Sequence, residues 1–287
     1  MTAVFKRELK SYFNGMTGYF FAAFLIFLTG MYTMIYNFKG LYPNYEYVIY
    51  ELCFFYLIAI PILTMKVIAE DKKQKTDQLL YSLPLSMTQI VFGKFLAMAV
   101  MLFVPVAVMG VIPLILKQYG TINFATAYGS LFGFYLLGCA LIAIGLFMSS
   151  LTENQIVAAV MCFFVLLICY LSVGLSNYVP TDSTSSYFAF VVLILAAALL
   201  VFFLTKSKLA GIICAVAGEG ALSIAFFTHK AMFESAFQKV LLKCSLFERL
   251  MNFINGMFDL TTIVYYVTVI FLFVFFTVQV MEKRRWN

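Results

Sequence analysis

Few residues in this chain have a type and spacing that could do chemistry. A phosphate-cradling loop needs glycines ahead of a Gly-Lys-Ser/Thr run. The chain has a single Gly-Lys pair, Gly93-Lys94; it is followed by Phe95 and has Thr88 where the first glycine would stand. Such a chain does not hydrolyse nucleotide alone. Its one histidine, His229, sits at the end of an apolar run and reads as a polar terminator. There is no HExxH, no GxSxG and no carboxylate pair spaced for acid–base work. The six cysteines are Cys53, Cys139, Cys162, Cys169, Cys214 and Cys244; none forms a CxxC pair, and five lie in apolar runs. There a cysteine behaves as a small hydrophobe. No catalytic residue, no bound cofactor, no metal site and no disulfide framework is expected.

Two features stand out against that background. Glu219 lies in the middle of an apolar run, in Ala217-Gly218-Glu219-Gly220. A carboxylate at that depth costs roughly 2.5–3.5 kcal/mol on insertion scales, so it should face the protein interior or a cavity. It reads either as a substrate or proton contact or as a polar tie between helices, which the flanking glycines would let approach closely. The second feature is the segment 70–93, the most polar of the chain. Its front is charged (Glu70, Asp71, Lys72, Lys73, Lys75), its middle puts Leu79, Leu80 and Leu83 on one helical face, and Pro84 ends it. A short helix of that form suits docking in a groove of a partner. The alternative is a solvated loop.

The elements that carry these features follow from composition. Of the 287 residues, 64% are hydrophobic and 11% charged, with a mean hydropathy of +0.99. A soluble domain is about half apolar and a quarter charged. Lipid must cover the surplus. A bilayer core takes about 20 apolar residues per helix, which gives eight predicted spans: 17–38, 50–69, 94–116, 126–149, 154–176, 187–205, 208–228 and 261–281. The fold class is therefore all-α, a polytopic membrane helical bundle forming one domain over 1–287. The first run is too long for a cleavable signal.

Residues 1–16 form an amphipathic helix, with Phe5, Leu9, Tyr12, Phe13 and Met16 at helical spacing and Lys6, Arg7 and Lys10 elsewhere. It should lie in the membrane interface. Residues 229–260 carry an apolar stripe (Phe233, Phe237, Val240, Leu241, Phe247) and read as one or two helices on the opposite membrane surface. Pro61, Pro105 and Pro113 interrupt spans and can kink them. Orientation follows the lysines and arginines. With the N-terminus inside, only Lys39, Lys117, Lys230, Lys239, Lys243 and Arg249 of the 19 fall outside. Both termini are then cytoplasmic. The net charge of +6 reads as topology, not nucleic-acid binding.

These segments carry a resemblance. The run Glu70, Lys72, Lys73, Thr76, Leu79, Leu80, Pro84, Ser86, Gly93 and Lys94 resembles the first cytoplasmic loop of type-2 ABC exporter permeases. Phe5 to Phe13 is similar to their elbow helix. Phe253-Ile254-Asn255-Gly256-Met257-Phe258-Asp259-Leu260, Tyr265-Tyr266 and the terminal Lys283-Arg284-Arg285-Trp286 look like the gliding-motility (GldF-like) branch. Two departures are visible. Lys75 stands where the family has glycine, and eight spans exceed the family core of six, so the helix of Glu219 lies outside the pattern.

The resemblance implies a permease half of a bacterial ABC transporter, of exporter type, in the cytoplasmic membrane. A separate ATPase subunit would bind ATP and magnesium and hold the coupling segment Lys72, Thr76, Asp77, Leu79, Leu80, Leu83 and Pro84. A second copy or a paralogue would complete the permease, and an auxiliary membrane protein with an external domain could join it. Two alternatives remain: a mechanotransmission subunit of the same fold acting on an external partner, and a gradient-driven carrier centred on Glu219. The carrier would want several paired intramembrane charges and inverted repeats; only Glu219 fits.

Overall fold

The computed structural model describes residues 2–76, 86–178, 182–205, 215–216, 218–220, 222–223, 226, 228, 233 and 235–286. The described residues are mostly helical, with no strand among them. Helix α1 (Thr2–Asn14) leads into α2 (Met16–Thr33), which continues as a π-helical turn over Met34–Lys39. Helix α3 (Glu46–Thr64) is followed by the short α4 (Ala69–Lys73). Then come α5 (Met87–Met109), the short α6 (Ile112–Leu116), α7 (Phe124–Leu151) and α8 (Gln155–Tyr178). The chain closes with α9 (Ser183–Thr205), α10 (Ala236–Cys244), α11 (Leu250–Ile254) and α12 (Leu260–Trp286).

Among the described residues, six stretches are long and apolar enough to cross a bilayer: Met16–Lys39, Glu46–Lys73, Met87–Leu116, Phe124–Leu151, Gln155–Ser172 and Leu260–Arg284. This is a multi-pass membrane protein. Of the two other predicted spans, 187–205 falls within α9, and much of 208–228 lies outside the described residues. The predicted span 94–116 is broken after Met109. Pro113 explains the break, because it has no N–H to continue the ladder and instead opens α6.

The chain divides into two compact units, Met1–Ile168 with Leu246–Asn287, and Cys169–Ser245. In the first, α7 is the central element. Lipid tails give no hydrophobic drive between helices, so close packing and buried hydrogen bonds must hold them. Helix α7 offers small residues at the contacts. A Cβ on Gly138 would lie 2.5 Å from Leu102 and 2.8 Å from the Tyr56 hydroxyl, and one on Gly145 would overlap Thr64. Gly133 lies under Leu250 and Phe253 in the same way, at 2.8 Å from each. Tyr56 stacks on Phe134, ring centroids 4.3 Å apart, and donates to the Phe134 carbonyl at 3.2 Å.

Charged contacts fix which ends meet. Arg284 of α12 pairs with Glu153 in the α7–α8 turn at 2.7 Å, and Lys72 of α4 donates to the Ser150 carbonyl. Helix α1 joins the same end through Lys94, so both chain ends of the first unit lie there. The apolar stripe predicted over 229–260 is divided. Phe233 and Phe237 meet Phe190 edge-on in the second unit, at 6.2 and 5.3 Å. Phe247 is buried in the first unit, as are Leu250 and Phe253, which pack on α7.

Asp259 caps the start of α12. Its carboxylate accepts from the Thr261 amide (2.8 Å), the Thr262 hydroxyl (2.9 Å) and Asn252 Nδ2 (3.0 Å). Those bonds, Thr261 and Thr262 first, hold its carboxyl below the usual value. A depressed folded pKa adds stability above the unfolded value, near 4, that is lost as pH falls through the folded one. Asp259→Ala should lower the apparent Tm in detergent at pH 7, and the gap to wild type should shrink below about pH 4. A gap as large at pH 3 as at pH 7 would contradict the capping account.

Candidate coupling site at the base of the bundle

The segment singled out by sequence is held at both ends. On its entry side, α3 ends at Thr64 and the chain turns through Met65–Ile68 into α4. Ser149 of α7 organises that turn: its Oγ accepts from the Ile68 and Ala69 amides (3.3 and 3.1 Å) and donates to the Met65 carbonyl (3.3 Å). Helix α4 stops at Gln74 with Lys75 beyond it at φ +56°. This is the left-handed position that glycine fills without penalty. The glycine of the family pattern has this physical reason, and lysine tolerates the same conformation here at a cost of about 1 kcal/mol. Thr76 then turns back, its hydroxyl donating to the Asp71 carbonyl and Oδ1 at 3.3 and 3.1 Å. On the exit side, Ser86 caps α5 by accepting from the Gln89 amide at 3.3 Å.

The two sides are tied by Lys94, one of the deepest side chains of the unit at 1% exposed. Its ammonium has three hydrogens to place. It donates to Glu8 Oε1 of α1 (2.9 Å), to Asp71 Oδ2 of α4 (2.6 Å) and to the Val67 carbonyl (2.7 Å). Arg7 closes the group from outside, 2.6 Å from Glu8 and 3.9 Å from Asp71. Two cations thus face two carboxylates, and the cluster is neutral as a whole. Burial by itself would lower the Arg7 guanidinium; the hydrogen bond and charge of Glu8, with Asp71, outweigh it and raise the group. Tyr12 fastens the next turn of α1 to the Leu63 carbonyl at 3.0 Å. Burial, with Glu8 nearby, pushes its phenol well up, so it stays a donor. A cleft of about 310 Å³ opens beside the cluster between Arg7, Tyr12, Lys66, Glu70 and Thr76.

Of the sequence-derived coupling residues, Lys72 and Thr76 are seen, and both anchor α4. Asp77, Leu79, Leu80, Leu83 and Pro84 lie outside the described residues, as does His229. The sequence reading quoted Gly93-Lys94 as a motif match but missed its partners. The available signal was a lysine two to three turns inside an apolar helix, which must find acceptors. Glu8 and Asp71 are a carboxylate pair, but one neutralised by Lys94, not free for acid–base work. Among the described residues, no group of His, Cys, Asp and Glu is placed to hold a metal ion. Glu219 lies in the second unit, half-buried. A Cβ on its neighbour Gly218 would come 2.8 Å from Ile194 of α9, whereas Gly220 faces open space. One flanking glycine thus serves close approach and the other does not.

Removing one member of a buried ion pair strands the other; the full effect is about 3–5 kcal/mol. Glu8 and Asp71 retain some water contact, at 12% and 21% exposed. Lys94→Met should therefore destabilise the fold by about 2 kcal/mol and speed tryptic cleavage at Lys73 and Lys75. Glu8→Gln in the same chain should recover part of the loss. Lys75→Gly should act oppositely, raising the local opening free energy seen by hydrogen exchange at Thr76 by about 1 kcal/mol.

A sequence model of the ABC-2 family transporter proteins matches residues 5–208, well over half of the chain. Comparison with curated proteins finds no match, and neither does comparison with solved structures. The matched stretch holds Glu8, Asp71 and Lys94, so the whole ion cluster lies inside it. With its multi-pass helical bundle and the ends of its second and third spans tied by Lys94, the chain belongs to the ABC-2 family transporter proteins, as a membrane permease component of an ABC transporter.

Proposed function

We propose that this chain couples ATP hydrolysis by a separate ATPase subunit to translocation across a bacterial cytoplasmic membrane, in the exporter direction. The observation that carries this reading is the Lys94 cluster. It joins the elbow helix, the exit of the second span and the entry of the third, and its members Asp71 and Lys94 flank in sequence the segment 77–85 that would dock in the ATPase. A push on that segment then moves three elements together instead of bending one loop. Packed elements that move as one block can turn a small displacement at the loop into a shift of the spans. ATP and magnesium would belong to the ATPase. A second copy or a paralogue would complete the pathway. The C-terminal run from Phe253 to Trp286 supports the gliding-motility branch, and with it an auxiliary membrane partner. The loop and both termini would be cytoplasmic, in line with the lysine and arginine count and with both ends of the first unit lying at the Lys94 end.

Leu79→Asp or Leu80→Asp should leave the protein inserted but lose the ATPase on pull-down from native membranes, with mass spectrometry of the retained proteins. A P-loop protein retained by the wild type and lost by these variants is the expected result. An additional partner with a large external domain would mark mechanotransmission. Recovery of the chain alone after mild extraction would overturn the reading in favour of a gradient-driven carrier using Glu219.

A further inference from the structure

The cleft of about 310 Å³ beside the Lys94 cluster has two charged groups in its wall that the cluster does not use, Lys66 and Glu70. Arg7, Lys94, Glu8 and Asp71 balance among themselves. Lys66 is half-buried, and among the described residues it has no ion pair. Its ammonium is not sealed from water either, so it opens to the cleft. Glu70 is half-buried too, and a neutral amide serves it: Gln74 Nε2 donates to its Oε1 at 3.0 Å. One wall thus offers an uncommitted cation and a carboxylate without a counter-ion. A ligand that complements both carries a negative and a positive group close together.

The depth of the cleft says where such a ligand comes from. Thr17, in its wall, opens the first span, and Lys66 follows directly on α3. The second span has 28 residues, about 42 Å of helix, against a hydrocarbon core of about 30 Å. Its charged end therefore stands at headgroup depth. From there an aromatic seam runs between α2 and α3. Phe20 stacks on Phe24 at 6.3 Å, and Phe55 of α3 meets Phe24 at 6.2 Å and Tyr32 at 5.9 Å. Phe20 is 58% exposed, and the other three rings are half-buried. Thr17, Phe20 and Phe24 stand three and four residues apart on one stripe of α2, so the seam begins in the cleft wall. From Thr17 to Tyr32 it covers about 22 Å, enough for the roughly 15 Å of one leaflet's hydrocarbon.

We infer that this cleft seats the headgroup of a zwitterionic phospholipid with a primary ammonium, the chemistry of phosphoethanolamine, its acyl chain lying on the α2–α3 seam. Lys66 takes the phosphate, with the Ser11 and Thr17 hydroxyls of the same wall as further donors. Glu70 accepts from the ammonium. A free carboxylate in the wall repels a headgroup that is anionic overall, and a quaternary ammonium has no N–H to give Glu70. The inference does not depend on how the ATPase couples.

The test is native mass spectrometry of the full chain in mild detergent, incubated with an equimolar mixture of palmitoyl-oleoyl phosphatidylethanolamine, phosphatidylcholine and phosphatidylglycerol. The wild type should retain the ethanolamine lipid above the other two. In Glu70→Gln the ratio of ethanolamine to glycerol lipid should fall about tenfold, the effect of losing one hydrogen bond to a charged group. Lys66→Gln should lower retention of all three lipids, since each has the phosphate. Neither substitution breaks an ion pair, so both variants should fold; the wild-type ranking decides even if one does not. Equal retention of the three lipids by the wild type, preference for the glycerol lipid, or an ethanolamine preference unchanged in both variants would overturn the proposal.

Discussion

A buried ammonium must place each of its three hydrogens on an acceptor, because an unpaired charge away from water is far more costly than any single packing defect. Lys94 meets that demand with Glu8, Asp71 and the Val67 carbonyl. Each acceptor comes from a different part of the chain: the elbow helix, the short helix α4 and the turn before it. No one of the three can leave without baring the lysine or recruiting water to it. The arrangement around the base of the bundle therefore has one well-satisfied state. Arg7 completes the neutrality at the rim, where solvent weakens its share.

Above the cluster, the bundle is held by close packing and directed hydrogen bonds. Helix α7 sits at the centre, and its glycines let Thr64, Tyr56, Leu102, Leu250 and Phe253 come into direct contact with its backbone surface. Tyrosine hydroxyls add directed ties where packing alone would allow sliding: Tyr56 to the Phe134 carbonyl, Tyr45 to that of Met109 and Tyr266 to that of Leu246. Ser149 joins the same helix to the turn that leads into α4. A movement of α4 thus reaches α7 through hydrogen bonds as well as through van der Waals contact. Interfaces of this density shift between discrete packings and do not deform continuously.

The two ends of the first unit carry opposite chemistry. The base holds charges, and the deepest of them is fully paired. The far end holds a neutral, aromatic pocket with an orphan amide oxygen and a strained residue. Satisfied ions at one end favour a fixed mechanical joint.

By itself, the sequence determined the properties that depend on neighbours along the chain. Mean hydropathy of +0.99 required lipid around most of the helices, and runs of about 20 apolar residues placed six of the eight predicted spans where candidate spans are found among the described residues. The amphipathic spacing of Phe5, Leu9 and Tyr12 marked helix α1, and the polar stretch after Glu70 marked a break between spans. Even the departure at Lys75 was visible, although only its φ of +56° gave the reason for glycine in the pattern. What the tertiary structure decided lies between residues far apart. Lys94 is 86 positions from Glu8 and 23 from Asp71, and periodicity carries no information on which helix faces meet. The orphan state of Asn37 and the burial of Phe247 depend likewise on neighbours brought in by the fold. Hydropathy is a property of each segment; the satisfaction of a buried charge or amide is a property of the whole arrangement.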